Sequence, residues 1–301
     1  MLDNCSGNPV KVSLVSKIAA YIKLLRPKQW IKNLFVIAPL IFAKHVFEYD
    51  YIVKIIAAFI LFCFISSSVY VLNDIIDCDK DRLHPKKKNR PIASGLISKA
   101  EGIVLLVITL PLVIGVSFYV DSFFGLVILL YFMNNVLYSY KIKHMVILDV
   151  MSIAVGFLLR VIGGGLIIKV NISPWILLCT LLLSLFLGFS KRRNELVVLE
   201  MGAENHRKIL EEYSLEFIDN MLSIVTASTV MAYCLYTFSA NNGNFRMMIT
   251  IPFVLYGIFR YQYIIYKKKE GGSPEDTVLS DMPLMFSILL WGVISIVILY
   301  L

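Results

Sequence analysis

Charge is scarce in this chain, and negative charge scarcer still: 21 Asp and Glu stand against 29 Lys and Arg, and charged residues make up only 17% of the 301. Soluble domains carry roughly 25% charge, so an ordinary water-soluble globule is excluded. Cysteine is sparse as well. The five cysteines (5, 63, 78, 179 and 234) show no CxxC spacing and three lie in apolar runs, so neither a disulfide framework nor a zinc site is implied. The first thirty residues lack the apolar core and cleavage site of a signal peptide. No Ser/Gly linker or short repeat divides the chain, which predicts one domain over residues 1–301. What is plentiful is apolar: 58% hydrophobic residues and a mean hydropathy of +0.76.

These residues fall into long runs. Nine spans are expected, at Ile31 to Phe47, Ile52 to Leu72, Glu101 to Val120, Ser122 to Tyr140, Val146 to Ile168, Pro174 to Phe189, Phe217 to Ser239, Met247 to Tyr266 and Pro283 to Leu301. Each has about the length that a bilayer-spanning helix needs, so the fold class is an all-α polytopic membrane protein. With the N-terminus in the cytoplasm, only Lys44, Lys54, Lys169 and Arg246 fall on the opposite side, while Arg160 lies deep within a span. That asymmetry is a strong positive-inside signal. The net charge of +8 then belongs to cytoplasmic loops beside anionic lipid, and no nucleic-acid partner is expected. Residues 1–30 form an N-terminal cytoplasmic segment in which Val12 to Leu25 alternates apolar and basic residues at helical spacing, suiting a helix on the membrane surface. Residues 73–99 and 190–216 are expected to be the two large cytoplasmic cap loops.

The most informative stretch is NDIIDCDKD. Asn73, Asp74, Asp77 and Asp81 are spaced by three, four and seven residues, which places them on one helix face where the second span ends. A helix C-terminus already carries partial negative charge, so carboxylates gathered there call for a cation. Arg82, His84, Lys86, Lys87, Lys88 and Arg90 follow directly. Acids gather metal and bases gather phosphate, and magnesium takes one or two carboxylates with waters and substrate phosphate oxygens. The mixture suits a diphosphate site; for Lys86 to Lys88 a solvated positive-inside loop is the competing explanation.

Further polar residues interrupt the spans. Asn134, Asn135 and Tyr138 lie near the cytoplasmic end of span four, with Lys141 and Lys143 beyond, and either bond between helices or meet a substrate. Arg160 lies about 16 Å deeper than Asp149 along span five; so placed, it must face a polar cavity or a carboxylate. Gly163, Gly164 and Gly165 permit close helix approach or a local break. Lys191, Arg192 and Arg193 end span six, where helix-end electrostatics and phosphate binding are both sufficient reasons for them. Glu195, Glu200 and Glu204 follow; the last two are spaced for a second metal or for a solvated helix face. Trp30 suits an interface anchor.

Taken together, these residues resemble the UbiA superfamily of intramembrane prenyltransferases, with NDIIDCDKD matching its NDxxDxxxD pattern. LRPKQWIKNLFVIAPLIFA, DRLHPKKKNRPIASG, YSYKIKH and SKRRNE look most like the branch that makes polyprenyl-phosphate phosphoribose, whose members include decaprenyl-phosphate phosphoribosyltransferases. The resemblance implies nine transmembrane helices around a central cavity that opens to the cytoplasm. It also implies transfer of 5-phosphoribose from phosphoribosyl diphosphate to a polyprenyl phosphate, a step towards polyprenyl-phosphate arabinose for cell-envelope glycans, in a bacterial cytoplasmic membrane. Mg2+ would be held by Asp74, Asp77 and Asp81, which with Lys191 form the expected catalytic set. Asn73, Arg82, Lys88 and Arg90 would bind substrate from the first loop. Asn135, Tyr138, Lys143, Arg160, Arg192 and Lys32 would do so from the spans and their ends.

One departure from ordinary prenyltransferases is informative. Those enzymes carry a second DxxxD motif after span six, whereas this chain offers KRRNE and no aspartate until Asp219. The rival reading is a prenyltransferase joining a prenyl diphosphate to an aromatic or porphyrin acceptor, and the missing motif counts against it. A transporter or lipid-binding protein would pair its acids near the midplane, not among bases in a loop.

Overall fold

A computed structural model describes residues 14–83, 87–200, 208–239, 245–268 and 272–301, with the side chains at 199, 200 and 208 left aside. Every regular element among them is helical, as expected. The chain passes from α1 (Leu14–Leu25) through 3-10 turns over Pro27–Ile37 and α2 (Ala38–Phe42) to α3 (Tyr49–Ile76), α4 (Cys78–Leu83), α5 (Lys99–Val120) and α6 (Ser122–Tyr140). It continues through α7 (Leu148–Ile167), α8 (Pro174–Glu200), α9 (Leu215–Ser239), α10 (Ile251–Tyr263), α11 (Pro274–Ser280) and α12 (Met282–Tyr300). Eight helices among the described residues are long and apolar enough to cross a membrane.

The first expected span, Ile31 to Phe47, is the exception. Pro27–Ile37 winds as a 3-10 helix and hands over to the five-residue α2, so no long α-helix forms there. The segment nevertheless packs along α3 and crosses between its two sides. Trp30 Nε1 donates to Ser67 Oγ at 3.1 Å near one end, and beyond the other the Val46 N–H donates to Tyr300 Oη at 2.8 Å. At ~2.0 Å per 3-10 residue and ~1.5 Å per α residue the stretch covers about 30 Å, the thickness of a bilayer core.

Three residues per turn is what its side chains require. Trp30, Asn33 and Val36 form one column turned into the protein: Asn33 and Val36 are fully buried, and Val36 meets α7 so closely that a Cβ on Gly164 would lie 2.1 Å from its carbonyl oxygen. Gly163 faces the Phe62 ring in the same way. The glycine run thus serves close approach and α7 continues unbroken through it.

From α5 to α9 each helix packs on the next in sequence, α3 touches α5, α6 and α7, and α10 packs on α12. One core joins the 27–42 segment to α3, α5, α6 and α7 around Phe62, Phe124, Ile128 and Tyr131; a second joins α8, α9, α10 and α12 around Phe186, Leu222 and Tyr261. Local chemistry sets the corners. Ser98 and Glu101 form a capping box that starts α5. Extended Asp121 alone separates α5 from α6 and caps α6 by accepting from the Phe124 N–H at 2.9 Å. Asp281 caps α12 and accepts from Arg260 at 2.9 and 3.0 Å; those bonds hold its carboxyl down at about 2.

α1 buries Ala20 and Leu24 against Val71, Cys78, Ile92 and Ile97. It leaves Leu14, Val15, Ile18 and Ile22 exposed as an apolar stripe, in keeping with a helix at the membrane surface. The second cap, expected over 190–216, begins as helix, because α8 runs on to Glu200.

Candidate active site

The acids sit where α3 gives way to α4. Asp77 interrupts the helix with φ −89 and ψ 5, yet its N–H reaches Asn73 O at 2.9 Å and the Asp81 N–H reaches Asp77 O at 2.8 Å, so the helical register carries across. Asp74 and Asp81 therefore share a face and share a partner. Arg90 Nη1 lies 2.6 Å from Asp81 Oδ2 and 3.2 Å from Asp74 Oδ1. Arg26 Nη2 approaches Asp74 Oδ1 at 2.5 Å, with its guanidinium 4.8 Å from the centre of the Tyr70 ring. Asp77 faces Lys143 at 3.4 Å, and half-buried Asn73 stands at the start of the group. The turn that delivers Arg90 closes at Gly95, whose φ of +79 favours glycine although a Cβ there would touch nothing.

Asp74 is 1% exposed, and its second oxygen, Oδ2, is buried with no hydrogen-bond partner. A buried carboxylate oxygen left open beside two further aspartates fits a hard divalent cation, which takes oxygen ligands. Among the described residues no three acidic, His or Cys side chains close a metal cage by themselves. The donor set therefore suits an ion that completes its shell with water and substrate oxygens.

Two other bases of the first loop, Arg82 and Lys88, are turned to solvent. Arg82 donates from Nε to Ala93 O at 3.3 Å. His84 and Lys86 lie outside the described residues.

A further element, α11, joins the site. Glu275 on α11, 8% exposed, accepts from Gln29 Nε2 at 2.6 Å and pairs with Lys32 at 3.2 Å. Burial alone would raise its carboxyl, but the Lys32 charge and the bonds from Gln29 and Lys32 hold it below the usual range.

Deeper in, Arg160 is 5% exposed and donates to Asn33 Oδ1 at 2.7 Å, Gly156 O at 2.8 Å and Tyr131 Oη at 2.8 Å. Its partners are neutral, which answers the expectation of a polar cavity or a carboxylate in favour of polar groups. Asn134 exchanges bonds with Ser152 across α6 and α7, each at 3.0 Å, and Asn135 donates to Tyr131 O within its own helix at 2.8 Å.

On α8 the basic residues divide. Arg192, 1% exposed, bonds Asp149 at 2.6 Å, Tyr138 at 3.2 Å and Glu195, and Tyr213 donates to the same Asp149 at 2.8 Å. Burial and that bond push the Tyr213 phenol up. Arg193 pairs with Asp219 at 2.6 Å and lies 3.9 Å from the centre of the Tyr266 ring. Lys191 stands half-buried beside them. Arg192 and Tyr138 thus belong to a network joining α6, α7 and α8, separate from the acids of α3. Glu204 and the side chain of Glu200 lie outside the described residues.

Arg26, Gln29, Asn33, Tyr131 and Glu275 escaped the sequence reading. For Arg26 and Gln29 a signal existed: with Lys32 they recur every three residues, the period of a 3-10 helix.

The UbiA prenyltransferase family matches residues 34–287. The chain belongs to the UbiA prenyltransferase family. It is 32% identical over 289 residues to a decaprenyl-phosphate phosphoribosyltransferase of Mycolicibacterium smegmatis, covering 91% of this chain and 90% of that protein. It is 34% identical over 279 residues to the Corynebacterium glutamicum protein of the same name, covering 90% and 83%. Among solved structures, a UbiA homolog from Archaeoglobus fulgidus bound to DMAPP and Mg2+ superimposes with a TM-score of 0.70 at 17% identity, over 93% of this chain and 99% of that one. The fold is thus that of the UbiA family, in an integral membrane protein.

Proposed function

We propose that this protein transfers the 5-phosphoribosyl group of phosphoribosyl diphosphate to a polyprenyl phosphate and releases diphosphate. The observation that carries the reading is the composition of the site in a chain so close to named phosphoribosyltransferases. A single acidic cluster, Asp74, Asp77 and Asp81, is interleaved with Arg26, Arg90 and Lys143. The position of a second acidic motif is taken by Lys191, Arg192 and Arg193. One diphosphate and two phosphate monoesters need one metal-binding cluster and many cations.

Mg2+ would be held by Asp74 and Asp77 with help from Asp81, and when bound would spread the charge of the departing diphosphate. Arg26 and Arg90 already stand at that carboxylate and would turn to the phosphate oxygens. The acceptor phosphate is ionised at neutral pH, so its oxygen attacks the anomeric carbon as diphosphate leaves, and no protein nucleophile or base is required. Catalysis then rests on positioning and on preorganised positive charge. The site faces the cytoplasm of a bacterial inner membrane, and the product is a precursor of polyprenyl-phosphate arabinose for envelope glycans.

Purified protein given Mg2+ and a polyprenyl phosphate should move label from phosphoribosyl diphosphate to lipid, and chelation should stop it. Turnover of a prenyl diphosphate onto an aromatic acceptor, with no phosphoribosyl transfer, would overturn the reading.

A further inference from the structure

In a 3-10 helix side chains three apart stand one above the other. Gln29 and Lys32 therefore stand one above the other along the entering segment, at roughly 6 Å per turn, and Arg26, at its left-handed N-cap, precedes them as a first rung. The first rung meets Asp74. The next two converge on a single buried anionic group: Gln29 Nε2 donates to Glu275 Oε1 at 2.6 Å, Lys32 Nζ lies 3.2 Å from Glu275 Oε2, and Lys32 Nζ also donates to Gln29 Oε1 at 2.6 Å. An ammonium and an amide that close on two oxygens of one anion match a phosphate monoester as well as they match a carboxylate.

The anion now in that cradle is supplied from a distance. Glu275 is 246 residues from Gln29, on a seven-residue helix between the last two spans. The Asp74 group is neutralised by Arg26 and Arg90 without it. A structural tie needs no buried carboxylate placed among substrate-binding cations, where it also repels incoming phosphate. A stand-in for a ligand does.

We propose that Gln29 and Lys32 form a phosphate-monoester subsite that Glu275 fills in the resting protein, so that α11 gives way when a substrate phosphate enters. This rests on the phosphoribosyl-transfer reading, in which donor and acceptor each carry such a monoester, at ribose C5 and at the lipid head. Competition by Glu275 lowers the apparent affinity for that phosphate by the fraction of time the cradle is free. The same competition keeps solution phosphate out until the rest of a substrate is engaged.

Binding is read without turnover, by thermal unfolding of the full chain in detergent titrated with ribose 5-phosphate, with a short isoprenyl monophosphate, and with inorganic diphosphate as control. Glu275→Gln should tighten one of the two monoesters by about three- to tenfold and leave diphosphate unchanged. Lys32→Met should abolish that monoester's effect, and the double variant should show no gain over Lys32→Met. A gain confined to ribose 5-phosphate assigns the cradle to the donor, and one confined to the isoprenyl phosphate assigns it to the acceptor. If Glu275→Gln tightens neither, Glu275 is a structural tie and the proposal fails. Should that variant not fold, Gln29→Leu replaces it, and unchanged binding of both monoesters there also overturns the proposal. Absence of phosphoribosyl transfer in the wild type would sink the functional reading while leaving these titrations interpretable.

Discussion

At the scale of single residues, Asp74 illustrates how function and stability separate. The carboxylate is buried, whereas the side chains of Arg26 and Arg90 that pair with it are 25% and 26% exposed. Removing one member of a buried pair is costly when the survivor stays buried; here both survivors reach water. Asp74→Ala should therefore cost only about 1 kcal/mol of stability and lower the rate of label transfer at least about a hundredfold, the scale of losing one well-placed electrostatic group. Unfolding midpoint and initial rate, measured on the same preparation, check both halves, and wild-type turnover would refute the metal assignment. The acid side of this site was legible because carboxylates are rare at the end of an apolar run. Arg26 was not: a lone arginine before the first span is also what the positive-inside rule places there, so its second role stayed hidden until Asp74 appeared opposite it.

At the scale of elements, long α-helices were legible and the 27–42 segment was not. Bilayer thickness sets the length of an apolar run, so eight helices announce themselves by length alone. A 3-10 helix rises faster per residue and meets the same thickness with a broken, more polar stretch, in which Trp30, Asn33 and Val36 line up only at a period of three. That line holds because α7 presents Gly164 to the Val36 carbonyl. Gly164→Ala would drive a methyl into backbone that has no rotamer to escape with, and should lower stability by about 1–3 kcal/mol. Gly115 and Gly292 sit in α5 and α12 with nothing within 4 Å of an added Cβ. Alanine at either should be neutral or stabilising by up to about 1 kcal/mol. Equal unfolding midpoints for all three variants would mean that α7 and the 3-10 segment are not held together by that contact.

At the scale of the whole molecule, the chain carries an orientation signal in its charges but no local record of its assembly. Charge asymmetry orders the loops from the sequence alone, but the site is built from pairs 48, 66, 127 and 246 residues apart, and nothing local in a sequence records such a pair. The structure sharpens the topological expectation into an accessibility experiment. Lys28 is exposed between Arg26 and Gln29, at the end that carries Asp74 and Glu275. Lys44 is exposed at the opposite end, lining a cleft with Asn171, Tyr236 and Leu299. Cysteines 63, 78, 179 and 234 are buried or half-buried, so a Cys5→Ser background suffices for labelling. An impermeant maleimide added to intact spheroplasts should modify Lys44→Cys and spare Lys28→Cys, and inverted vesicles should reverse the result. The opposite pattern would place the acids outside the cell, where phosphoribosyl diphosphate, a soluble cytoplasmic metabolite, does not reach them. That outcome would remove the donor from the proposed reaction whatever the site geometry allows. The expected one leaves the acceptor's tail in the bilayer, and it brings donor and acceptor together only where Asp74, Arg90 and Lys32 meet the cytoplasmic membrane face.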